Sequence, residues 1–106
     1  MGLVEIRITA PDPVVAESIA RALVEADLAA CVQQLPAITS LYRWQGRVER
    51  STEVLLLAKT TAEAFDAVCA KVTSLHPYAV PEILAVPIEQ ALPAYRGWVE
   101  ESVDGR

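Results

Sequence analysis

The sequence predicts an α+β sandwich in which one antiparallel sheet packs against two helices, and three observations lead to this prediction. Alternating apolar and polar residues mark strands, and apolar residues at helical spacing mark two segments between them. The elements follow in the order βαββαβ, and a short third helix closes the chain. Since 106 residues suffice for one domain, we expect a single unit over residues 1–106.

The first strand and helix are predicted from local patterns. Residues 3–10 alternate between apolar and polar side chains, as in a strand with one face on a core. Asp12 is a suitable N-cap, and Pro13 is favoured in the first turn of a helix. Apolar residues at helical spacing then continue to about residue 27.

The middle of the chain predicts a long hairpin. Residues 28–44 and 47–60 both have an extended pattern, and Gln45-Gly46 between them is a plausible tight turn. Pro36 lacks a backbone N–H, so its strand should lie at an edge or be bulged there.

The last part of the chain predicts two helices and a strand. Thr61 can cap a helix that ends near Leu75, because the following histidine precedes a proline. Residues 80–88 form a predicted edge strand that contains two prolines, and residues 93–102 form the closing helix.

Together these elements predict a ferredoxin-like sandwich with strands one and three in the centre of the sheet. Two strands of ~14 residues reach roughly 45 Å, whereas the helices cover only about 21 Å. The far part of the hairpin is nevertheless apolar, which favours pairing with another copy of the chain. A bulged hairpin that folds back on its own sheet is the alternative.

Composition excludes several classes of function. The net charge of −5 argues against binding to nucleic acid and to anionic membranes. An apolar fraction of 53% is high for a small monomer, which again favours a subunit interface. The sequence begins without a secretory leader and has two cysteines without CxxC spacing, so we expect reduced thiols and a cytoplasmic location.

Six segments resemble the CutA family, small proteins linked to divalent-cation tolerance. They occur in family order and cover nearly the whole chain: TAPD (9–12), LAACV (28–32), SLYRWQG (40–46), EVLLLAKT (53–60), HPYAVPEI (76–83) and YRGW (95–98). The resemblance implies a homotrimer built by the long hairpins and a role in copper binding and tolerance, with no obligatory cofactor. A protein partner outside the trimer is possible but is not identified.

The resemblance also implies a metal site at Cys31, His76 and Glu82, for copper or another divalent cation. A thiolate, an imidazole and a carboxylate suit such ions chemically. Each residue also has a structural interpretation. Cys31 lies in an apolar run, His76 ends a helix, and Glu82 could be a surface charge.

Aromatic and basic residues give two further predictions. Tyr42, Trp44 and Trp98 are predicted anchors of the trimer interface, because aromatic residues are enriched at interfaces. Arg43, Arg47 and Arg50 surround the hairpin turn. They could hold an anion, form a solvated tip, or pair with Glu49 and Glu53 of a neighbour.

No catalytic group of residues is recognisable, so we do not expect an enzyme. The single histidine has no evident nucleophile to activate, and no glycine-rich phosphate loop occurs. The CutA trimers resemble the PII signalling proteins, so a signalling trimer with a small molecule in its inter-subunit cleft is an alternative. A purely structural oligomer that takes up metal adventitiously is another.

Overall fold

The computed structural model describes residues 2–103; Met1 and residues 104–106 of the predicted domain lie outside this range. The ferredoxin-like α+β architecture is confirmed. Its elements are β1 (Leu3–Ala10), α1 (Pro13–Glu25), β2 (Cys31–Trp44), β3 (Arg47–Thr61), α2 (Phe65–Leu75), β4 (Ile83–Ile88) and α3 (Pro93–Ser102).

The four strands form one antiparallel sheet in the order β2-β3-β1-β4, so β2 and β4 are its edges, as predicted. One face packs against α1 and α2 and holds the main core. Because side chains alternate along a strand, the even-numbered residues of β1 enter this core. Its fully buried large side chains are Ile6, Ile8, Ile19, Leu23, Leu56, Val68 and Val72.

The other face of the sheet is covered at one end only, where α3 packs Val99 and Val103 against Leu3. We call the remainder of this side the open face. It displays apolar side chains, including Leu35, Leu84, Tyr42 and Trp44, which are 40%, 55%, 44% and 60% exposed. A solvated sheet face normally carries polar residues, so the open face has the composition of an interface.

The hairpin of β2 and β3 has the predicted turn and the predicted bulge. Gln45 and Gly46 have φ values of 50° and 79°, which is the geometry of a tight type I′ turn. At Pro36 the register shifts by one residue, and Ala37 takes a φ of 62°. The bulge bends the strand and increases its twist at the base of the hairpin.

Two predicted strand starts are wrong, and the backbone shows why. The residues from Leu28 to Ala30 are not strand, because the N–H groups of Leu28 and Ala29 bond back to Leu23 O and close the end of α1. β4 begins at Ile83 rather than at residue 80, because Pro81 cannot donate a ladder hydrogen bond.

The predicted cap at Thr61 is also wrong in detail. Thr61 precedes a short 3-10 turn, Ala62–Ala64, and makes no side-chain capping bond; α2 starts only at Phe65. The Asp12 cap is confirmed, since its Oδ1 accepts the N–H of Val15 at 2.9 Å.

The distal hairpin projects beyond the body of the subunit. We call residues 38–52 the arm. None of them belongs to a buried core cluster, and the described chain measures 45 × 26 × 22 Å. Its radius of gyration is 14.2 Å, against about 13 Å for a compact domain of this size. The arm therefore makes the subunit elongated, as the predicted strand lengths required.

Candidate functional site

Cys31 lies on the open face, at the first residue of β2. It pairs with Lys59 of β3, which in turn pairs with Glu5 of β1, so all three project from the same side of the sheet. The thiol is partly buried. Burial raises the pKa of the nearby Tyr95 hydroxyl, and the charge of Cys31 and its hydrogen bond with Tyr95 raise it further. The thiol thus sits beside a phenol at the foot of α3.

Charged groups next to Cys31 neutralise one another. Lys59 Nζ donates to Gln33 Oε1 at 2.6 Å and lies 3.5 Å from Glu5 Oε2. Glu5 Oε1 accepts from Arg7 Nε at 3.0 Å. Glu5 is the carboxylate nearest to Cys31 in the strand register, and it is held by two cations, so it is not a free metal ligand.

His76 is buried, and both nitrogens of its ring are engaged. The Nε2–H group donates to Thr9 O at 2.7 Å, and Nδ1 accepts the N–H of Tyr78 at 3.1 Å. This pattern requires the neutral tautomer with its proton on Nε2, because a carbonyl can only accept and an amide N–H only donates. The ring also packs against Tyr78, with centroids 4.7 Å apart. In this conformation the imidazole offers no free lone pair to a metal.

The three predicted metal ligands do not meet within one subunit. Glu82 is exposed and directly precedes Ile83, which pairs with Ile8 near the end of β1 that His76 contacts. Cys31 lies near the other end, about 13 Å or four residues further along the β1 direction and two strands to the side. Within residues 2–103, no group of three or more His, Cys, Asp or Glu side chains is placed to hold a metal. The site stays a prediction that only an assembly could complete.

The predicted interface aromatics are all partly exposed in the subunit, and their role in an interface stays a prediction. Tyr42 and Trp44 project from the open face of the arm, and Trp98 of α3 is 45% exposed beside Tyr95, with ring centroids 5.5 Å apart. The second cysteine, Cys69, lies on α2 away from this surface. Burial and the charge of Asp66 raise the pKa of its thiol.

Glu53 was predicted only as one alternative partner for the arginines of a neighbouring hairpin, and its burial was not predicted. Glu53 lies at the base of the arm and is only 7% exposed, and the Tyr78 hydroxyl donates to its Oε2 at a long 3.4 Å. Burial raises the pKa of Tyr78, and the negative charge of Glu53 raises it further. The available signal was a lone acid directly before the apolar run VLLLA.

The described part of the chain contains no helix with the length and apolarity needed to cross a membrane.

A cavity of about 370 Å³ lies away from the open face, at the ends of α1 and α3. It is lined by Val24, Asp27, Ala29, Ala30, Glu101 and Ser102. It contains none of the predicted metal or interface residues.

Comparison with known proteins agrees with the resemblance seen in the sequence. A family model described as CutA1 divalent ion tolerance protein matches residues 4–102. The chain is 52% identical to a divalent-cation tolerance protein CutA of Thermus thermophilus, covering 90% of this chain and 92% of the relative. It is 46% identical to human Protein CutA over 89% of this chain but 52% of the human protein, so it spans about half the length of that relative.

Solved structures give the same result. The structure of the Thermus thermophilus protein superposes with a TM-score of 0.94 at 48% identity, covering 95% of this chain and 98% of that one. CutA1 from Oryza sativa superposes with a TM-score of 0.96 at 32% identity, over 100% and 97% of the two chains. A related structure from Archaeoglobus fulgidus, with a TM-score of 0.94 at 41% identity over 96% and 99% of the two chains, is described as a periplasmic divalent cation tolerance protein. With the family model spanning nearly all of its described residues, this chain belongs to the CutA1 divalent ion tolerance protein family.

Proposed function

We propose that the chain works as a homotrimer that binds divalent cations, copper in particular, and so contributes to cation tolerance as a binding protein rather than an enzyme. The observation that carries this proposal is the apolar open face with its projecting arm. The named function of the relatives supports the cation part, and the subunit geometry supports the assembly part.

The open face supports an assembly because it is apolar where a monomer would be polar. The strands β2 and β4 each have one free edge, so backbone donors and acceptors are available for pairing between subunits. The exposed aromatics of the arm and α3 add large, rigid contact area near these edges. A closed ring would cover both features, and the family resemblance favours three subunits.

The cation site is proposed around Cys31, a predicted ligand on the open face. A thiolate there would bind copper or zinc, and further ligands would have to come from a neighbouring subunit. Glu82 is exposed and available for this. His76 could join only if one of its ring nitrogens gave up its present partner.

Metal titration tests the site directly. Dialysed, reduced protein is titrated anaerobically with Zn(II), a redox-inert divalent cation, and separately with Cu(I), the copper ion that thiolate ligands favour. Cys31→Ala is expected to weaken binding by about tenfold or more, because one of few ligands is lost. Cys69→Ala is the matched control and should bind like the parent. Parental affinity and stoichiometry in Cys31→Ala would show that the site is elsewhere or adventitious.

We also propose a cytoplasmic location, on the basis that both cysteines are free thiols in the structure. The related Archaeoglobus structure described as periplasmic makes this a point to measure. Fractionation of the source cells should find the chain with cytosolic markers, and recovery in an extracytoplasmic fraction would contradict the proposal.

A further inference from the structure

Glu53 is a buried acid that its own subunit does not neutralise. Its side chain is enclosed at the base of the arm, its one hydrogen bond is the 3.4 Å contact from the Tyr78 hydroxyl, and it makes no ion pair within residues 2–103. Removing a carboxylate from water without a cation or several donors is costly. A fold that keeps it there calls for a donor from outside the subunit.

A second unsatisfied group lies beside it. Ser51 is two residues from Glu53 on β3, so both side chains project from the open face. Ser51 Oγ is fully enclosed and has no hydrogen-bond partner among the described residues. Buried polar atoms are rarely left unpaired, so the single long hydrogen bond of Glu53 and the unpaired Ser51 Oγ both mark this part of the open face as incomplete within one subunit.

The surroundings of Glu53 suit a cation with a flat, delocalised charge. The hydroxyl of Tyr42 lies close enough to Tyr78 to raise its pKa. Asp12, at the start of α1, adds a negative charge that raises the same pKa. A guanidinium can pair with a carboxylate, donate to a hydroxyl and stack on a phenol ring at the same time. We call Ser51, Glu53 and Tyr78 the acidic niche.

The arm carries the matching groups. Arg43, Arg47 and Arg50 are exposed and form no ion pair within the described chain. Only Arg47 projects from the open face, directly across from Trp44; Arg43 and Arg50 are on the opposite side of the hairpin. Arg47 cannot reach its own niche, because six strand residues place it about 20 Å from Glu53.

We propose that the acidic niche of one subunit binds the Arg47 guanidinium of a second copy. This inference rests on the proposed homo-oligomer and specifies how its subunits interlock. The contact places the tip of one arm on the base of the next, and it closes a ring of three when successive subunits are related by a threefold rotation. It also gives both the buried acid and the arginine at the arm tip an electrostatic role.

Subunit exchange measures this contact even when the assembly is too tight to dissociate by dilution. Unlabelled and isotope-labelled protein are mixed, and mixed oligomers are followed by native mass spectrometry. Glu53→Gln and Arg47→Gln are each expected to speed exchange by about tenfold. The double variant should exchange no faster than the faster single variant, since both changes break one contact. Glu63→Gln and Arg50→Gln are the matched controls and should exchange like the parent.

Several results would overturn the proposal. Parental exchange in Arg47→Gln, which changes an exposed residue and cannot unfold the core, contradicts it even if Glu53→Gln proves unstable. Multiplied effects in the double variant also contradict it. If free arginine raises the melting temperature of the parent as much as that of Arg47→Gln, but not that of Glu53→Gln, the niche takes a cation from solution and not from a second copy. An oligomeric parent with unaffected variants defeats this inference alone, whereas a monomeric parent defeats the proposed trimer.

Discussion

Excising residues 41–50 and joining Ser40 to Ser51 through an Asn-Gly turn is expected to produce a folded monomer. Ser40 and Ser51 are cross-strand partners, so a two-residue turn can close the shortened hairpin without changing the register below it. The buried core stays intact, because it contains no residue of the arm. The excision removes Tyr42 and Trp44. Truncation of an aromatic hot spot at an interface centre costs about 2 kcal/mol or more of binding free energy.

The expected result is a dissociation constant at least about a hundredfold higher than that of the parent, measured by sedimentation equilibrium. Circular dichroism should show that the sheet and helices are retained. Val14→Ser is the matched control, since Val14 is 80% exposed on α1, away from the open face, and its loss should leave assembly unchanged. An excised protein that assembles as tightly as the parent would show that the arm does not hold the subunits together.

His76→Ala is expected to lower the free energy of unfolding by about 2–4 kcal/mol, because it removes two hydrogen bonds and leaves Thr9 O and the Tyr78 N–H without partners. The free energy of unfolding of a typical domain is roughly 5–15 kcal/mol, so this loss is a large part of it. Urea denaturation measures the change. His76→Gln should recover part of it, since a glutamine amide can still donate to Thr9 O.

The same variant separates a structural histidine from a metal ligand. If His76 keeps the two hydrogen bonds described above, His76→Ala should lower the free energy of unfolding far more than it lowers metal affinity. Thr73→Ala, on the exposed side of α2, is the control for the helix itself. A His76→Ala protein with parental stability but no copper binding would show that the ring is a metal ligand and does not serve to hold the end of α2 against β1.

Local chemistry explains which elements could be predicted. The alternation in β1, the Asp12-Pro13 start of α1 and the Gln45-Gly46 turn are each determined by neighbours in sequence. The starts of β2 and β4 depend instead on hydrogen bonds that periodicity does not show. Leu28 has an extended-looking context, yet its N–H returns to Leu23 O. Apolar patterns alone could not separate such a helix closure from a strand.

The candidate site was less predictable because it depends on tertiary contacts. The family resemblance predicts Cys31, His76 and Glu82. Only the structure shows that both ring nitrogens of His76 are hydrogen-bonded to backbone groups. Glu53 has an ordinary strand context in the sequence. Glu53 is buried because the chain after α2 packs Tyr78 against it, and Tyr78 is 25 residues further along the sequence.

Sedimentation velocity of the unmodified chain at micromolar concentration tests the central claim most directly. We claim that the arm and open face of each subunit are completed by sister chains. We expect one species near 34.5 kDa, three times the 11.5 kDa of the chain. A well-folded species near 11.5 kDa would contradict it, and the inter-subunit cation site and the Arg47 contact would then have no basis.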